Sequence, residues 1–230
     1  MTTIETNLLA VRARLTAACQ AAGRPADAVT LLAVSKTFGA DAVQAAHAAG
    51  QTAFGENYIQ EAVQKITELR HLPLEWHCIG PIQSNKSRLV AEHFDWVHTV
   101  DRLKIAQRLS EQRPAGLPPL QVCIQVNVDG GENKSGVAPS EALALAKAVA
   151  ALPNLRLRGV MSIPEPSSDF IASHAVLARA KAIFDALNAE GLGLDILSMG
   201  MSADLEPAVH AGSTMVRVGS AIFGGRVKPV

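Results

Sequence analysis

Apolar positions repeat along this chain with two alternating periods. Residues 4–22 carry Ile4, Leu8, Leu9, Val11, Leu15 and Ala18 at helical spacing, and Gly23 and Pro25 stop that helix. Short apolar runs then alternate with longer amphipathic ones. The short runs read as strands: Val29–Val34, Thr52–Phe54, Glu75–Ile79, Trp96–Val100, Leu120–Val126, Leu157–Met161, Ile196–Met199 and Met215–Val218. The amphipathic runs read as helices near 40–49, 57–70, 84–92, 102–112, 140–151, 171–190 and 203–211. Strands that are apolar throughout and covered by helices belong to a parallel sheet. Eight in one alternating series predict a closed (β/α)8 barrel, with an open doubly wound sheet as the alternative. The N-terminal helix is expected to complete the outer ring. Arg113–Pro119 reads as a stiff loop, and with no linker or repeat in view residues 1–230 are expected to form a single domain.

Composition narrows the function. With 48% apolar and only 4% aromatic residues, the core must be aliphatic. The 21 basic and 21 acidic side chains balance to zero net charge. That removes the electrostatic footprint of a nucleic-acid or membrane-surface binder. Cys19, Cys78 and Cys123 are scattered, with no CxxC, the usage of a reduced, intracellular protein. No apolar stretch reaches membrane-span length, and the N-terminus lacks an apolar signal core, so a cytoplasmic protein is expected.

Polar and small residues gather after the strands' carboxyl ends, where barrel active sites are built. They include Ser35-Lys36-Thr37, Gly55-Glu56-Asn57, Gly80-Pro81, Asn127-Val128-Asp129, Ser162, Gly200-Met201-Ser202 and Gly219-Ser220. Lys36 closes a buried strand. A desolvated lysine loses its proton more readily and becomes a nucleophile toward aldehydes, whereas a lysine that snorkels into water does neither. Gly200 and Gly219 give an anion close access to backbone N–H groups, or are simply turns. Arg217 interrupts an otherwise apolar closing strand. Its guanidinium stays charged and needs an acceptor, either a ligand atom or an acid such as Glu56. The seven histidines form no HxxxH or HxH pair, so no metal site is expected, and His77 reads as a hydrogen-bonded core residue. No Gly-x-Ser-x-Gly or Gly-x-x-x-x-Gly-Lys motif occurs. Lys134 is either a solvated loop charge or a second lysine near the cleft.

Together these stretches resemble the pyridoxal phosphate homeostasis protein family, whose fold is that of the alanine racemase N-terminal barrel, fold type III of the pyridoxal phosphate proteins. The resemblance rests on Ala33–Thr37, Phe54–Tyr58, His77–Lys86, Asn133–Gly136, Leu157–Met161, Ser198–Asp204 and Val216–Ser220, in the family's order across almost the whole chain. It implies pyridoxal 5′-phosphate on Lys36 as an internal aldimine. It implies phosphate binding by Ser202, Gly219 and Ser220 beside Gly200 and Met201, with Arg217 opposite the pyridine nitrogen and Asn57 near the ring. Relatives often carry a second lysine where this chain has Phe38, so a role for that lysine does not transfer.

The resemblance also implies a function. Guanidinium donates a hydrogen bond without surrendering a proton, so the ring becomes a weaker electron sink than one paired with Asp. Racemisation needs a second proton donor, which in alanine racemase is a tyrosine from the partner's second domain. This chain stops at Val230, and its only tyrosine, Tyr58, begins the helix after the second strand. The expectation is a non-catalytic monomer that binds pyridoxal phosphate and delivers it to apo-enzymes by transient contact. The alternatives are an amino-acid racemase and a Schiff-base aldolase acting on phosphorylated sugars.

Overall fold

The computed structural model describes residues 2–130 and 135–225; Lys134 and Asn133 lie outside them. Helix α1 (Thr3–Ala21) starts in a capping box. Thr2 Oγ1 accepts from the Glu5 N–H while the Glu5 carboxylate accepts from the Thr2 N–H. Eight strands follow: β1 (Thr30–Val34), β2 (Ala53–Glu56), β3 (Glu75–Cys78), β4 (Trp96–Val100), β5 (Leu120–Gln125), β6 (Leu155–Met161), β7 (Ile196–Ser198) and β8 (Met215–Val218). Between them lie α2 (Ala40–Ala48), α3 (Ile59–Glu68), α4 (Ser87–His93), α5 (Leu103–Gln112), α6 (Ala142–Ala150), α7 (Phe170–Ala189) and α8 (Leu205–His210). Every strand pairs parallel with the next, and β8 closes on β1 with Thr30–Ala33 facing Met215–Val218 residue by residue. The architecture is therefore the expected (β/α)8 barrel, and the open doubly wound sheet is excluded.

The departures are local. β2 runs to Glu56 rather than stopping at Phe54, because the Glu56 side chain is buried and ion-paired instead of turning to water. A single turn of 3-10 helix, Ser84–Lys86, precedes α4. A short helix absent from the expectation, α9 (Ser220–Phe223), follows β8.

Strand alternation separates two interiors. Leu31 and Ala33 point into the large core between strands and helices, while Leu32 and Val34 pack with Ala53, Ile79 and Met215 in a separate cluster. Trp96, Cys123 and Met161 form a second small cluster with Ile196. These two groups are the apolar filling of the barrel lumen. His77, His98, Ser198 and Arg217 share that lumen and connect to one another by hydrogen bonds.

Burial pushes both imidazoles toward the neutral form. It lowers the His77 pKa against the upward pull of Glu75, and it lowers His98 well below 6.5 with help from the Arg217 charge. The unfolded chain takes up these protons near 6.5, whereas the folded chain refuses them until lower pH. Stability is therefore retained above that value and falls as the pH drops below it. Glu75, held low by His77, acts in the same direction at more acid pH. We expect urea stability to fall between about pH 7 and about pH 5.5 by up to about 1.4 kcal/mol per histidine per pH unit. In His98→Asn the slope should be smaller. An equal slope in the two proteins would show that His98 does not titrate differently on folding.

Candidate functional site

The loop after β1 is fixed from below. Ser35 is fully buried, and its Oγ donates to Glu56 Oε1 at 2.6 Å. Lys65 on α3 is also buried; its Nζ donates to Ser35 O at 2.9 Å and to Glu56 Oε1 at 2.6 Å, and lies 2.9 Å from Glu61 Oε1. Burial is the largest influence on Glu56 and pushes its carboxyl pKa up against the pull of Lys65. On the other side of Lys36, the Thr37 N–H donates to Glu61 Oε1 at 2.8 Å. Thr37 is the one non-glycine residue among those described with positive φ, at +68°. A β-branched residue there is strained by about 1–3 kcal/mol, which the surrounding contacts must offset. Lys36 is thus held between a buried anchor and a strained residue, partly exposed at the barrel mouth.

Asn57 follows β2 directly. A Cβ at Gly80 would lie 2.3 Å from Asn57 O, so only glycine lets the loop after β3 pass against the Asn57 backbone. Asn57 Oδ1 is buried and has no hydrogen-bond partner in the protein, and the same holds for Ser162 Oγ at the end of β6. Such orphans are rare and call for an occupant of the adjoining space.

Arg217 enters from β8. It is 4% exposed and donates through Nη1 to Ser198 Oγ at 2.7 Å and through Nη2 to Ser162 O at 3.1 Å. The ion pair with Glu56 does not form, because Glu56 is held by Lys65 on the far side of β2. Burial lowers the Arg217 pKa to about 10, which still leaves it cationic at neutral pH.

The loops after β7 and β8 close the ring. Gly200 has φ +96°, and a Cβ there would meet the Ala208 Cβ at 2.5 Å. It is buried behind the loop, and its carbonyl accepts from the Arg217 N–H at 2.9 Å. Asp204 Oδ1 accepts from the Met201 N–H at 2.6 Å. From α1, Arg14 donates to Ser202 O at 2.8 Å and pairs with Glu206, while Asn7 donates to Ile222 O at 3.0 Å. The N-terminal helix therefore ties down both loops.

These elements enclose one cavity of about 340 Å³, onto which Lys36, Asn57, Met201, Ser202, Arg217, Gly219 and Ser220 open. Gly200 is the one sequence-predicted site residue that does not line it. Ile79, Ile163 and Phe38 supply apolar wall that sequence reasoning did not assign, and Phe38 stacks on Phe223 at 5.2 Å. Tyr58 precedes α3, is half exposed and does not line the cavity. His77 is the hydrogen-bonded core residue expected. His98, Ser198, Lys65 and Arg14 were missed, although a histidine inside the apolar Trp96–Val100 run and a lysine on the buried face of α3 were visible signals.

Chemically, the cavity brings together a lysine amine, a buried guanidinium and the small residues of the loops after β7 and β8. The alanine racemase N-terminal domain model matches residues 6–227, which defines the class of barrel. A pyridoxal phosphate homeostasis protein of Pseudomonas aeruginosa is 63% identical, over 98% of this chain and 97% of the relative. One from Escherichia coli is 54% identical, over 98% of each. Among solved structures, PipY of Synechococcus elongatus with pyridoxal phosphate bound is 37% identical, with a TM-score of 0.84 over 96% of this chain and all of that one. An alanine racemase of Clostridium difficile, 16% identical, covers 88% of this chain and 54% of its own, with a TM-score of 0.71; it shares the fold. The chain belongs to the pyridoxal phosphate homeostasis protein family, within the alanine racemase N-terminal domain class.

The anchor below Lys36 makes a direct prediction. Lys65→Met removes the cation that Glu56 faces in the interior, and breaking a buried pair from one side costs about 3–5 kcal/mol. Urea denaturation should show that loss, and adding Glu56→Gln to the same chain should recover part of it. A loss under about 1 kcal/mol would mean that the pair does not hold the loop.

Proposed function

We propose that this protein binds pyridoxal 5′-phosphate reversibly at the barrel mouth, attached through Lys36, and hands it to apo-enzymes without turnover of its own. The observation that carries the reading is the single cavity that brings the Lys36 amine, the buried Arg217 guanidinium and the Ser202, Gly219 and Ser220 loops together. The residues fit the group. A pyridine nitrogen is the uncharged acceptor that an arginine without a carboxylate partner can serve, and the small loops at α9 offer N–H donors for a phosphate. The orphaned Asn57 Oδ1 gives a bound ring or its substituents a polar neighbour. Relatives named for pyridoxal phosphate homeostasis and the loaded PipY support the same ligand.

Bound there, the cofactor supplies an aldehyde carbonyl open to amine attack. This chain's part is to hold and quiet it. Lys36 is the attacking amine in its neutral form. Arg217 would donate a hydrogen bond to the ring nitrogen and keep its proton, which would leave the ring uncharged and a weak electron sink. Tyr58 stands outside the cavity and so supplies no second base inside it. A binding and delivery role follows, rather than racemisation or aldol chemistry. We further propose a cytoplasmic monomer with residues 1–230 as one domain. The balanced charge, and Cys19, Cys78 and Cys123 all free and buried, support the reduced compartment.

The test is borohydride reduction of protein loaded with pyridoxal phosphate, followed by peptide mass mapping. We expect the fixed label on Lys36, a visible absorption band that the reduction removes, and loss of both in Lys36→Ala with the fold intact by circular dichroism. Label on another lysine, with Lys134 the first to check, would overturn the assignment. Loaded wild-type protein incubated with single-enantiomer alanine should yield no antipode; its appearance would make the protein a racemase.

A further inference from the structure

A chain of hydrogen bonds crosses the barrel lumen from the cavity to the opposite face. Arg217 Nη1 lies 2.7 Å from Ser198 Oγ. Ser198 Oγ lies 2.8 Å from His98 Nδ1, and His98 Nε2 lies 2.8 Å from His77 Nδ1. His77 Nε2 lies 2.8 Å from Glu75 Oε1, whose side chain is half exposed. The residues come from β8, β7, β4 and β3, and all but Glu75 are buried.

The two ends fix the direction of every proton. A guanidinium can only donate, so Ser198 Oγ accepts from Arg217 and turns its own hydrogen to His98 Nδ1. A carboxylate can only accept, so His77 Nε2–H donates to Glu75. With both imidazoles neutral, His98 Nε2–H then donates to His77 Nδ1, and the assignments from the two ends meet without conflict. Every donor points away from Arg217 and toward a negative charge. Trp96 stacks on the His77 ring at 5.1 Å and 9°, and the Arg158 guanidinium caps Trp96 at 4.8 Å, so the rings have little freedom to turn. Among the described residues no carboxylate hydrogen-bonds Arg217; Asp204 acts on its charge without bonding it.

We propose that Ser198, His98, His77 and Glu75 are positioning residues for Arg217. Their one-directional chain aligns its guanidinium with the cavity and links its charge to a carboxylate on the opposite barrel face. The inference deepens the pyridoxal phosphate reading, because Arg217 is the group assigned there to the ring nitrogen. Ser198→Ala cuts the chain beside Arg217. Glu75→Gln keeps its shape, removes its terminal charge and sits near solvent, where the fold tolerates it. Ser198→Thr restores the hydroxyl.

Two NMR readouts test the chain. In cofactor-free protein, hydrogen exchange of the Arg217 Nη protons should quicken about tenfold in Ser198→Ala, the size expected for one lost charge-assisted hydrogen bond. It should quicken in the same direction in Glu75→Gln and return toward wild type in Ser198→Thr. In protein loaded with ring-15N pyridoxal phosphate, the nitrogen shift should move in Ser198→Ala and Glu75→Gln at equal occupancy. Unchanged Arg217 exchange in both variants overturns the proposal, and Glu75→Gln alone decides it if Ser198→Ala does not fold. Changed exchange with an unmoved ring shift also overturns it, since the chain would then not act on the cofactor. If borohydride places no label on wild-type Lys36, the cofactor reading has failed instead, and the cofactor-free exchange still decides whether the chain holds Arg217.

Discussion

A guanidinium that cannot be neutralised stands inside an aliphatic barrel, and much of the lumen is arranged around that fact. Taking a cation out of water costs several kcal/mol even after the protein relaxes. Among the described residues no acid pairs with it directly. Arg217 is met by a serine hydroxyl and a backbone carbonyl, Asp204 is the carboxylate whose charge acts on it, and a hydrogen-bonded chain through two imidazoles runs on to Glu75. A buried ion pair would have been a self-contained solution. It would also have consumed donors that the proposed reading gives to a neutral ring nitrogen. The remote arrangement keeps the charge and leaves the guanidinium on the cavity wall.

The opposite wall follows a different rule. Lys36 is partly exposed, and the residues on both sides of it are held firmly. Ser35 is locked to Glu56 and Lys65, and Thr37 is held at positive φ by Glu61. Glu61 touches both Lys65 and the Thr37 N–H, so one helix, α3, fixes both sides of the lysine. At the cavity's far end α1 does the same for the loops after β7 and β8 through Arg14 and Asn7. The helix that looked like an outer-ring filler therefore also shapes the site.

The barrel was legible because its signal is repeated. Eight apolar runs with helices between them leave few topologies, and small boundary errors do not alter strand order. The cavity residues were legible for two reasons of unequal strength. Arg217 could be picked out physically, as a permanent charge in an apolar strand. Lys36, Ser202 and Ser220 stood out mainly through family resemblance, since a lysine or serine after a strand is ordinary. What stayed hidden depends on pairing across the lumen. His98 and Ser198 are 100 residues apart, and no local pattern says that they meet. The choice between a ligand atom and Glu56 as the acceptor for Arg217 stayed open for the same reason: the side of β2 that Glu56 faces is set by Lys65 on α3, which rules the Glu56 pair out.

The two walls together favour the proposed holding role over turnover. Efficient carbanion chemistry on a pyridine ring needs a proton on its nitrogen and bases on both faces of the reacting carbon. Placed against the ring nitrogen as proposed, Arg217 would withhold the first, because even with its pKa lowered to about 10 it remains a far weaker acid than a protonated pyridine. The described cavity lining holds no histidine, tyrosine or carboxylate to serve as the second: beside Lys36 it presents Ile79, Ile163 and Met201, and the one tyrosine stands outside. The imidazoles that could have served as bases are turned inward, committed to Arg217's chain and held neutral by burial. On the proposed reading, a site built in this way would favour retention through an amine and an anion cup over turnover. Reversibility would then be its useful property, because the proposed carbonyl–amine linkage, at a partly exposed lysine, would be open to water or another amine without rearrangement of the barrel.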